Sequence, residues 1–217
     1  LRELLRDVDR MLTHNRIFID RMQGVAAISG AAALDAGMTG PCLRASGVAY
    51  DVRRARPYWG YETYAFDVPT ETAGDCFARF LMRIHEVEES LRIVEQAMGR
   101  LKPGPVCVED KKHVLPDKGA VYADMESLIH HFKVVMPGAE HGIQPPRGHF
   151  YSSTETPNGE LGFFIVSNGG SSPQRLRIRS PSLMNYQSAP RLLPGHVLSD
   201  IPPVLATLNV IAGELDR

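Results

Sequence analysis

The sequence predicts an α+β protein, mainly a long-helix bundle with a small antiparallel β meander. Apolar residues recur at heptad spacing through residues 74–101, which is typical of a long amphipathic helix that other helices must cover. Between residues 148 and 180 the apolar period changes to two, and turn-forming residues separate the short runs. The expected organisation is a helical part at 1–135, a meander at 148–180, and a C-terminal helix and tail at 196–217.

The long helix is predicted to span residues 74–101. Asp75 stands where an N-cap residue is favoured, and a Pro-Gly pair follows the last turn. At 1.5 Å per residue the helix is roughly 40 Å long. We interpret its charged face, which includes Arg79, as a solvated surface on which Glu88 and Arg92 are spaced for an ion pair. The apolar stripe consists of Phe77, Phe80, Ile84, Val87, Leu91, Val94, Met98 and Leu101.

Short helices and connections are predicted before the long helix. Residues 1–14 carry a helical apolar pattern, and small residues from 24 to 40 favour closely packed turns. The glycine-bracketed loop at 40–48 matches neither phosphate-binding fingerprint, although its glycines keep a nucleotide site as an alternative. Asp51 is placed to cap a brief helix that Pro57 ends.

Aromatic residues dominate 58–69, which we expect to be an extended segment wrapping the bundle. These side chains could pack in a core or line a ligand pocket. After a connection at 103–119, Asp124 is placed to cap a second helix. His130 and His131 point about 100° apart on that helix, so they cannot bind one metal ion together.

The meander is expected to open with a hairpin of strands at 150–156 and 161–167. Asn158-Gly159 between them supplies the two positive φ angles of a type I′ turn. A third strand at 174–179 alternates apolar residues with arginines, which predicts an edge strand with its charges outward. Those arginines are Arg175, Arg177 and Arg179.

The C-terminal helix is predicted from its cap and its apolar face. Ser199 or Asp200 caps it, and the two prolines that follow are tolerated only in a first helical turn. The apolar face consists of Val204, Leu205, Leu208 and Ile211.

Composition and charge exclude several classes of function. A net charge of -1 gives no electrostatic footprint for nucleic acid. No apolar run reaches the roughly 18 residues of a membrane span. The three cysteines lie far apart with no C-x-x-C, so neither a disulfide framework nor a zinc or iron–sulfur site is indicated. Because the first residue is Leu1 and not methionine, and the opening residues already lie within a helical pattern, we expect the beginning of the protein to be absent from this chain.

Short motifs, in collinear order over almost the whole chain, resemble the C-terminal half of the 49-kDa-type subunit of respiratory NADH:quinone oxidoreductase (complex I). That family is related to the large subunits of nickel-iron hydrogenases. The motifs are Gly40-Pro41, Leu43-Arg44-Ala45-Ser46-Gly47-Val48, Arg56-Pro57-Tyr58, Phe66-Asp67-Val68-Pro69, Gly74-Asp75-Cys76, Pro157-Asn158-Gly159-Glu160-Leu161-Gly162, and the runs 89–93, 125–133 and 213–217.

The resemblance implies a hydrogenase large-subunit-like fold and a scaffold subunit that helps enclose a quinone chamber. There, electrons pass from the terminal iron–sulfur cluster of a neighbouring subunit to quinone, coupled to proton translocation. NAD and the iron–sulfur clusters are expected in partner subunits, with no cofactor held by this chain alone. The expected partners are the other hydrophilic-arm subunits, including the terminal iron–sulfur subunit, and membrane-arm subunits.

The resemblance also implies a peripheral position on the cytoplasmic side of the cell inner membrane, or on the matrix side in mitochondria. The histidine and tyrosine that bind the quinone headgroup in the family belong to the N-terminal half. We therefore expect this chain to be inactive by itself.

Three residues near the C-terminus are the implied quinone-chamber wall: Asn209, Ile211 and Glu214. In the hydrogenase relatives a C-x-x-C pair binds nickel at the positions that match Ile211 and Glu214, and neither residue here is a thiolate. Ile211 would give the apolar contact that a quinone ring needs. Asn209 and Glu214 would orient its carbonyls or nearby water, with Asn209 in place of the family's usual aspartate.

Two alternatives stay open. One is a large subunit of a membrane-bound, energy-converting hydrogenase on the same scaffold. The other is a non-catalytic assembly module, in which the cluster of Arg53, Arg54 and Arg56 and the aromatic residues from Tyr58 to Phe66 dock neighbouring subunits. Under either the leading or the assembly hypothesis, the expected interface residues are Arg53, Arg54, Tyr58 and Arg217.

Overall fold

The computed structural model describes residues 1–108, 110, 114–135, 145–170 and 172–216. The chain divides into two compact units. The first comprises Leu1–Arg100, Ser153–Gly162 and Ile178–Arg217, and the second comprises Leu101–Ser152 and Phe163–Arg177. The expected division at 1–135, 148–180 and 196–217 groups residues by sequence pattern, whereas the two units are grouped by compactness. That division therefore stays a prediction.

The described residues form α-helices joined by short connections, with a π-helical turn at Asp9–Thr13 and 3-10 turns at Tyr61–Thr63 and Leu198–Asp200. In chain order, the α-helices are α1 Arg2–Val8, α2 Arg16–Met22, α3 Gly30–Asp35, α4 Pro41–Arg44, α5 Val52–Ala55, α6 Cys76–Arg100, α7 Lys118–Ala123, α8 Met125–Val135, α9 Pro181–Gln187, α10 Ala189–Leu192, α11 Ile201–Leu208 and α12 Ala212–Leu215. None of the helices described is both long enough and apolar enough to cross a membrane.

The predicted long helix is confirmed as α6, and its cap is the predicted one. Asp75 Oδ1 accepts a hydrogen bond from the backbone N–H of Ala78 at 2.7 Å. The heptad stripe, however, is only partly covered within this chain, since Val94 is 50% exposed and Met98 is 67% exposed. The fully buried part of α6 lies in its first two turns, at Cys76, Ala78, Arg79 and Met82.

The burial of Arg79 corrects its assignment to a solvated face. Its Nη1 donates to the backbone carbonyls of Gly74 at 2.7 Å and Ala26 at 3.1 Å, and its Nε donates to Thr207 Oγ1 at 3.2 Å. These acceptors satisfy a guanidinium that is 0% exposed. A buried polar group is tolerated when its hydrogen bonds are made, so Arg79 is a buried, hydrogen-bonded residue and not a surface charge.

The predicted ion pair between Glu88 and Arg92 is also replaced. Arg92 pairs instead with Glu89 at 2.7 Å and with Asp67 at 3.0 Å. Asp67 belongs to the segment preceding α6, and its backbone N–H donates to Glu89 at 2.8 Å. The tertiary position of that segment therefore decides which neighbour the arginine contacts.

The core of the first unit lies where α2, α3, α4, α6 and α11 meet. Phe18 packs edge to face on Phe80, with ring centroids 5.0 Å apart. The buried members of this core are Met22, Ala26, Ile28, Ala33, Met38, Cys42, Leu43, Cys76, Leu192, Val204 and Leu208. Two of the residues predicted for the apolar face of α11, Val204 and Leu208, are 0% exposed.

The other predicted caps are confirmed in two of three cases. Asp51 accepts from Arg53 N at 2.8 Å at the start of α5, and Asp124 accepts from Ser127 N at 2.9 Å at the start of α8. Asp200 precedes α11 but makes no side-chain cap, because its carboxylate accepts from Val197 N at 3.2 Å instead. The prolines of α11 do lie in its first turn. The predicted helix at 1–14 is present as α1 followed by the π-helical turn.

The three strands form a sheet in the order β1-β2-β3, with β1 at Gly148–Thr156, β2 at Gly159–Ser167 and β3 at Arg175–Arg179. The first two strands are joined by Pro157 and Asn158, not by a type I′ turn at Asn158-Gly159. Among the described non-glycine residues, positive φ occurs only at Ala26, Trp59 and Asn209. The proline ring fixes φ near −65°, so a loop that opens with Pro157 cannot adopt the mirror-image turn.

The charges of β3 are only partly directed outward. Arg175 and Arg177 are exposed, as predicted for an edge strand, and Leu176 is 50% exposed. Arg179 is partly buried in the first unit, where its Nη2 donates to the carbonyl of Gly37 at 2.9 Å and its Nη1 to that of Glu160 at 2.5 Å. The last residue of the strand thus ties it to the loop after α3.

Candidate functional site

The segment that follows α11 carries the residues predicted for the chamber wall. Asn209 ends α11 in the left-handed conformation, with φ at 54°, which asparagine tolerates better than most residues. Ile211 was predicted to lie on the apolar face of α11. It lies instead beyond that helix, in extended backbone, as the N-cap residue of α12. The left-handed turn separates Ile211 from the buried core of that helix.

Asn158, in the turn of the hairpin, contacts both polar residues of this segment. Asn209 Nδ2 donates to Asn158 Oδ1 at 2.6 Å, and Asn158 Nδ2 donates to Glu214 Oε2 at 3.4 Å. A carboxylate only accepts hydrogen bonds, so the amide must present its nitrogen to Glu214 and its oxygen to Asn209. The side chain of Asn158, 3% exposed, thus bridges the two predicted residues.

Glu214 is held by further donors from the start of α9. Ser182 donates to Glu214 Oε2 through its backbone N–H at 3.2 Å and also through its hydroxyl. Ser180 Oγ donates to the backbone carbonyl of Glu214 at 2.5 Å. The carboxylate and the main chain of Glu214 are therefore both fixed against the same short stretch.

Asn185, one turn further along α9, supports the hairpin turn from the inside. It is 0% exposed, and its Nδ2 donates to the carbonyl of Asn158 at 3.3 Å. Its Oδ1 is buried without a partner among the described residues. No local pattern in the sequence marks Asn158, Ser182 or Asn185 as site residues, because their partners lie far away along the chain.

The structure brings Asn209 and Glu214 together through Asn158 and leaves Ile211 between them in the chain. The Ile211 side chain makes no part of the core and is 50% exposed. The arrangement is an apolar side chain presented on a segment whose polar residues on either side are anchored. Such a surface can offer van der Waals contact to an apolar ring beside a small number of fixed polar groups.

The polar groups of three predicted interface residues are engaged within the chain. Arg53 pairs with Asp51 at 2.6 Å, and the Arg54 guanidinium lies over the Phe66 ring, 4.1 Å from its centroid. The hydroxyl of Tyr58 accepts from the backbone N–H of Glu155 at 2.9 Å. The fourth, Arg217, lies outside the described residues. The role of all four at an interface stays a prediction.

A second polar cluster surrounds Arg44 and borders a cavity of about 380 Å³. Arg44 is 1% exposed and contacts Glu86 at 2.6 Å, Glu155 at 2.9 Å and Asp51 at 3.9 Å. Burial raises the pKa of the Glu155 carboxyl above its ordinary value, although Arg44 opposes that shift. Burial also acts to raise the pKa of Asp51, but the hydrogen bonds and charge of Arg53 outweigh it and lower that pKa. The cluster ties the loop at 40–48 to α6 and β1.

The side chains that could bind a metal ion are dispersed. Within the described parts of the chain, no group of three or more His, Cys, Asp or Glu side chains is placed to hold one. Cys42 and Cys76 are buried, and Cys107 is exposed. The Cys76 sulfur accepts from Arg79 Nη2 at 3.3 Å.

Comparison with known proteins identifies the family. The family model described as "Respiratory-chain NADH dehydrogenase, 49 Kd subunit" matches residues 1–217. A protein of Methylacidiphilum infernorum, named as a subunit of NADH-quinone oxidoreductase, is 48% identical over 211 residues, which cover 97% of this chain and 50% of that protein. Proteins of the same name from Akkermansia muciniphila and Protochlamydia amoebophila are 46% and 43% identical, over 98% and 99% of this chain and 50% and 52% of their own lengths.

The chain thus spans about half the length of the curated relatives it matches. The match runs through the hairpin turn, the start of α9 and the segment after α11, so it includes every residue of the candidate site. The chain belongs to the family of the 49 kDa subunit of respiratory-chain NADH dehydrogenase.

Proposed function

We propose that this chain is part of the quinone-chamber and scaffold subunit of an NADH:quinone oxidoreductase. In this proposal it helps form the site where electrons pass from the terminal iron–sulfur cluster of a neighbouring subunit to quinone, coupled to proton translocation. Asn209, Ile211 and Glu214 are the chamber-wall residues. NAD and the iron–sulfur clusters are bound by partner subunits.

One observation carries the proposal. Ile211 is half exposed, while the residues that flank it, Asn209 and Glu214, are tied to the same buried asparagine. A quinone is an apolar ring with two polar carbonyls, and its site needs apolar contact beside fixed polar groups. An isoleucine held between anchored polar residues supplies that combination from this side of a chamber.

The residue chemistry at the same place argues against the hydrogenase alternative. A hydrogenase on this scaffold would bind nickel through the thiolates of a C-x-x-C pair, and the matching positions hold Ile211 and Glu214. The remaining alternative is an assembly module that binds no ligand. The experiment below has to distinguish that module from a quinone chamber.

The test is the Ile211→Met substitution in the complete complex. A longer and more flexible side chain changes the shape of the wall without adding charge, so half-inhibitory concentrations of quinone-site inhibitors should shift by on the order of tenfold. The amount of assembled complex should stay the same. Inhibitor titration of quinone reductase activity measures the first quantity, and native gel electrophoresis measures the second.

Ile17→Met is the matched control, because Ile17 is also an exposed isoleucine, 76% accessible, on α2. It should leave inhibitor sensitivity unchanged. An unaltered inhibitor response in the Ile211→Met complex, with assembly intact, would remove Ile211 from the chamber and favour the assembly module.

We further propose that the partners are the other hydrophilic-arm subunits, including the terminal iron–sulfur subunit, together with membrane-arm subunits. The chain would then be peripheral to the membrane, on the cytoplasmic side of the cell inner membrane or its mitochondrial equivalent. The names of the relatives support membership in a multi-subunit oxidoreductase.

A further inference from the structure

We infer that Asn158 is the positioning residue of the proposed chamber wall, so that the hairpin turn sets the placement of Asn209, Ile211 and Glu214. The inference rests on the proposed function for its consequence in catalysis. The anchoring itself rests on hydrogen bonds between the hairpin turn and the segment after α11.

The bridge uses both functional atoms of one amide. Asn158 Oδ1 accepts from Asn209 at 2.6 Å, and its Nδ2 donates to the Glu214 carboxylate at 3.4 Å and to Ser182 Oγ at 3.3 Å. Asn209 stands before Ile211 and Glu214 after it. One side chain from a different part of the chain therefore fixes both ends of the short segment that presents the isoleucine.

The amide is itself held in place, which is what a positioning residue requires. Its backbone carbonyl accepts from Asn185, which is 0% exposed, and the preceding Pro157 restricts the turn. The next residue, Gly159, has φ at 134° and lies so close to Thr39 that a Cβ there would come within 2.5 Å of its Oγ1. The turn cannot shift without disturbing these contacts, so the position of the amide is fixed.

Asn158→Asp is the informative substitution. Aspartate keeps the size of the side chain and can still accept from Asn209, but it cannot donate to Glu214 and places a second buried carboxylate beside it. In the complete complex, hydrogen–deuterium exchange of the peptide covering 209–216 should become about tenfold faster, the factor expected from losing roughly one hydrogen bond. The apparent KM for quinone should rise with it.

The double variant Asn158→Asp with Glu214→Gln tests whether the two side chains act through each other. The neutral amide of the glutamine removes the repulsion between the introduced aspartate and the Glu214 carboxylate, so exchange and KM should change by less than the product of the two single effects. If the double variant instead shows the product of the two single effects, Asn158 and Glu214 do not act through each other and the inference is overturned.

Asn209→Gly provides a second route in case Asn158→Asp does not assemble. Glycine tolerates the left-handed backbone, removes the side-chain bond and also loosens the backbone, so the same peptide should exchange faster in an assembled complex, and unchanged exchange would contradict the anchor. Asn168→Asp is the matched control, since it makes the same chemical change in the turn after β2, where the only hydrogen bond of the side chain to a described residue is the one it accepts from Gly170 N at 2.9 Å. It should change neither readout.

Hydrogen–deuterium exchange tests whether Asn158 anchors the segment, and the quinone KM and inhibitor response test whether the segment lines a chamber. Unchanged exchange in both Asn158→Asp and Asn209→Gly would show that Asn158 does not hold the segment. Faster exchange with unchanged quinone KM and inhibitor response would leave the anchor in place and refute the proposed chamber.

Discussion

At the scale of single residues, Arg44 illustrates how burial changes the contribution of an ion pair to stability. It contacts three carboxylates while 1% exposed. Arg92 contacts two carboxylates with a side chain that is 46% exposed. Water screens the second set and not the first, so the two arginines form a matched pair for comparison.

We predict that Arg44→Met lowers the free energy of unfolding by about 3–5 kcal/mol, because it leaves buried carboxylates without their cation. Arg92→Met should cause a much smaller loss. Urea denaturation of the two variants beside the parent chain measures both changes. Equal losses would mean that the cluster around Arg44 is solvated in solution.

The same cluster predicts opposite pH trends for two carboxyl groups. The pKa of Asp51 is lowered in the fold, so its charge stabilises the chain above the ordinary aspartate pKa, and this contribution is lost as pH falls through the lowered value. The destabilisation caused by Asp51→Asn should therefore be largest near neutral pH and shrink toward acid. Unfolding free energies measured over a pH series provide the check.

Glu155 supplies the internal control for that series. Its pKa is raised, so its stabilising contribution is present below the ordinary glutamate pKa and is lost as pH rises through the raised value. Glu155→Gln, which resembles the protonated form, should gain stability relative to the parent chain as pH increases. Parallel trends for both variants would contradict the assigned shifts.

Local residue roles could be predicted from the sequence, and distant ones could not. Asp51, Asp75 and Asp124 accept hydrogen bonds from N–H groups two or three residues away, so the cap motif contains the whole interaction. Arg79 binds carbonyls that approach only after folding, and a charge on a helix is by default a surface residue. Asn158 was missed for the same reason, since its partner Asn209 comes from the far end of the chain.

At the scale of elements, the bounds of helices and strands followed from the sequence better than their faces. The long helix was predicted within two residues at each end, because its cap and the Pro-Gly stop are local signals. Which of its faces is buried depends on α4 and α11, and the apolar repeat alone does not specify that. The hairpin strands were found, but the turn was misassigned, because its two residues are Pro157 and Asn158 and a proline cannot adopt the positive φ of a type I′ turn.

Close backbone approach between elements gives an element-scale prediction. A Cβ on Gly40, at the start of α4, would lie 2.4 Å from the Cα of Gly159 in the hairpin. Gly40→Ala should therefore separate the two elements and prevent stable folding, as measured by thermal denaturation and yield of soluble chain.

Gly24→Ala provides a comparison in which positive φ occurs without a clash. Gly24 has φ at 73°, but nothing lies within 4 Å of its ideal Cβ. Its substitution should cost only about 1–2 kcal/mol, the strain of a left-handed alanine. If Gly40→Ala were no worse than this, the approach of the two elements would not be tight.

At the scale of the whole molecule, the family could be predicted because several short motifs occur in collinear order, and the match over residues 1–217 confirms it. The residues proposed for the chamber wall came from that resemblance and not from any local pattern. The network that links them was not predictable, since its hydrogen bonds connect the hairpin turn, the start of α9 and the segment after α11. A linear motif does not encode such contacts.

The two-residue turn between β1 and β2 has a consequence for how this family can vary in length. One residue inserted between Thr156 and Gly159 would swing the Asn158 amide away from Asn209 and Glu214, whereas the Asn168 side chain accepts a hydrogen bond from Gly170 N within its own turn after β2. Changes in loop length are then tolerated in the second turn of the meander and not in the first. An insertion at the first turn should occur together with a compensating change beyond α11.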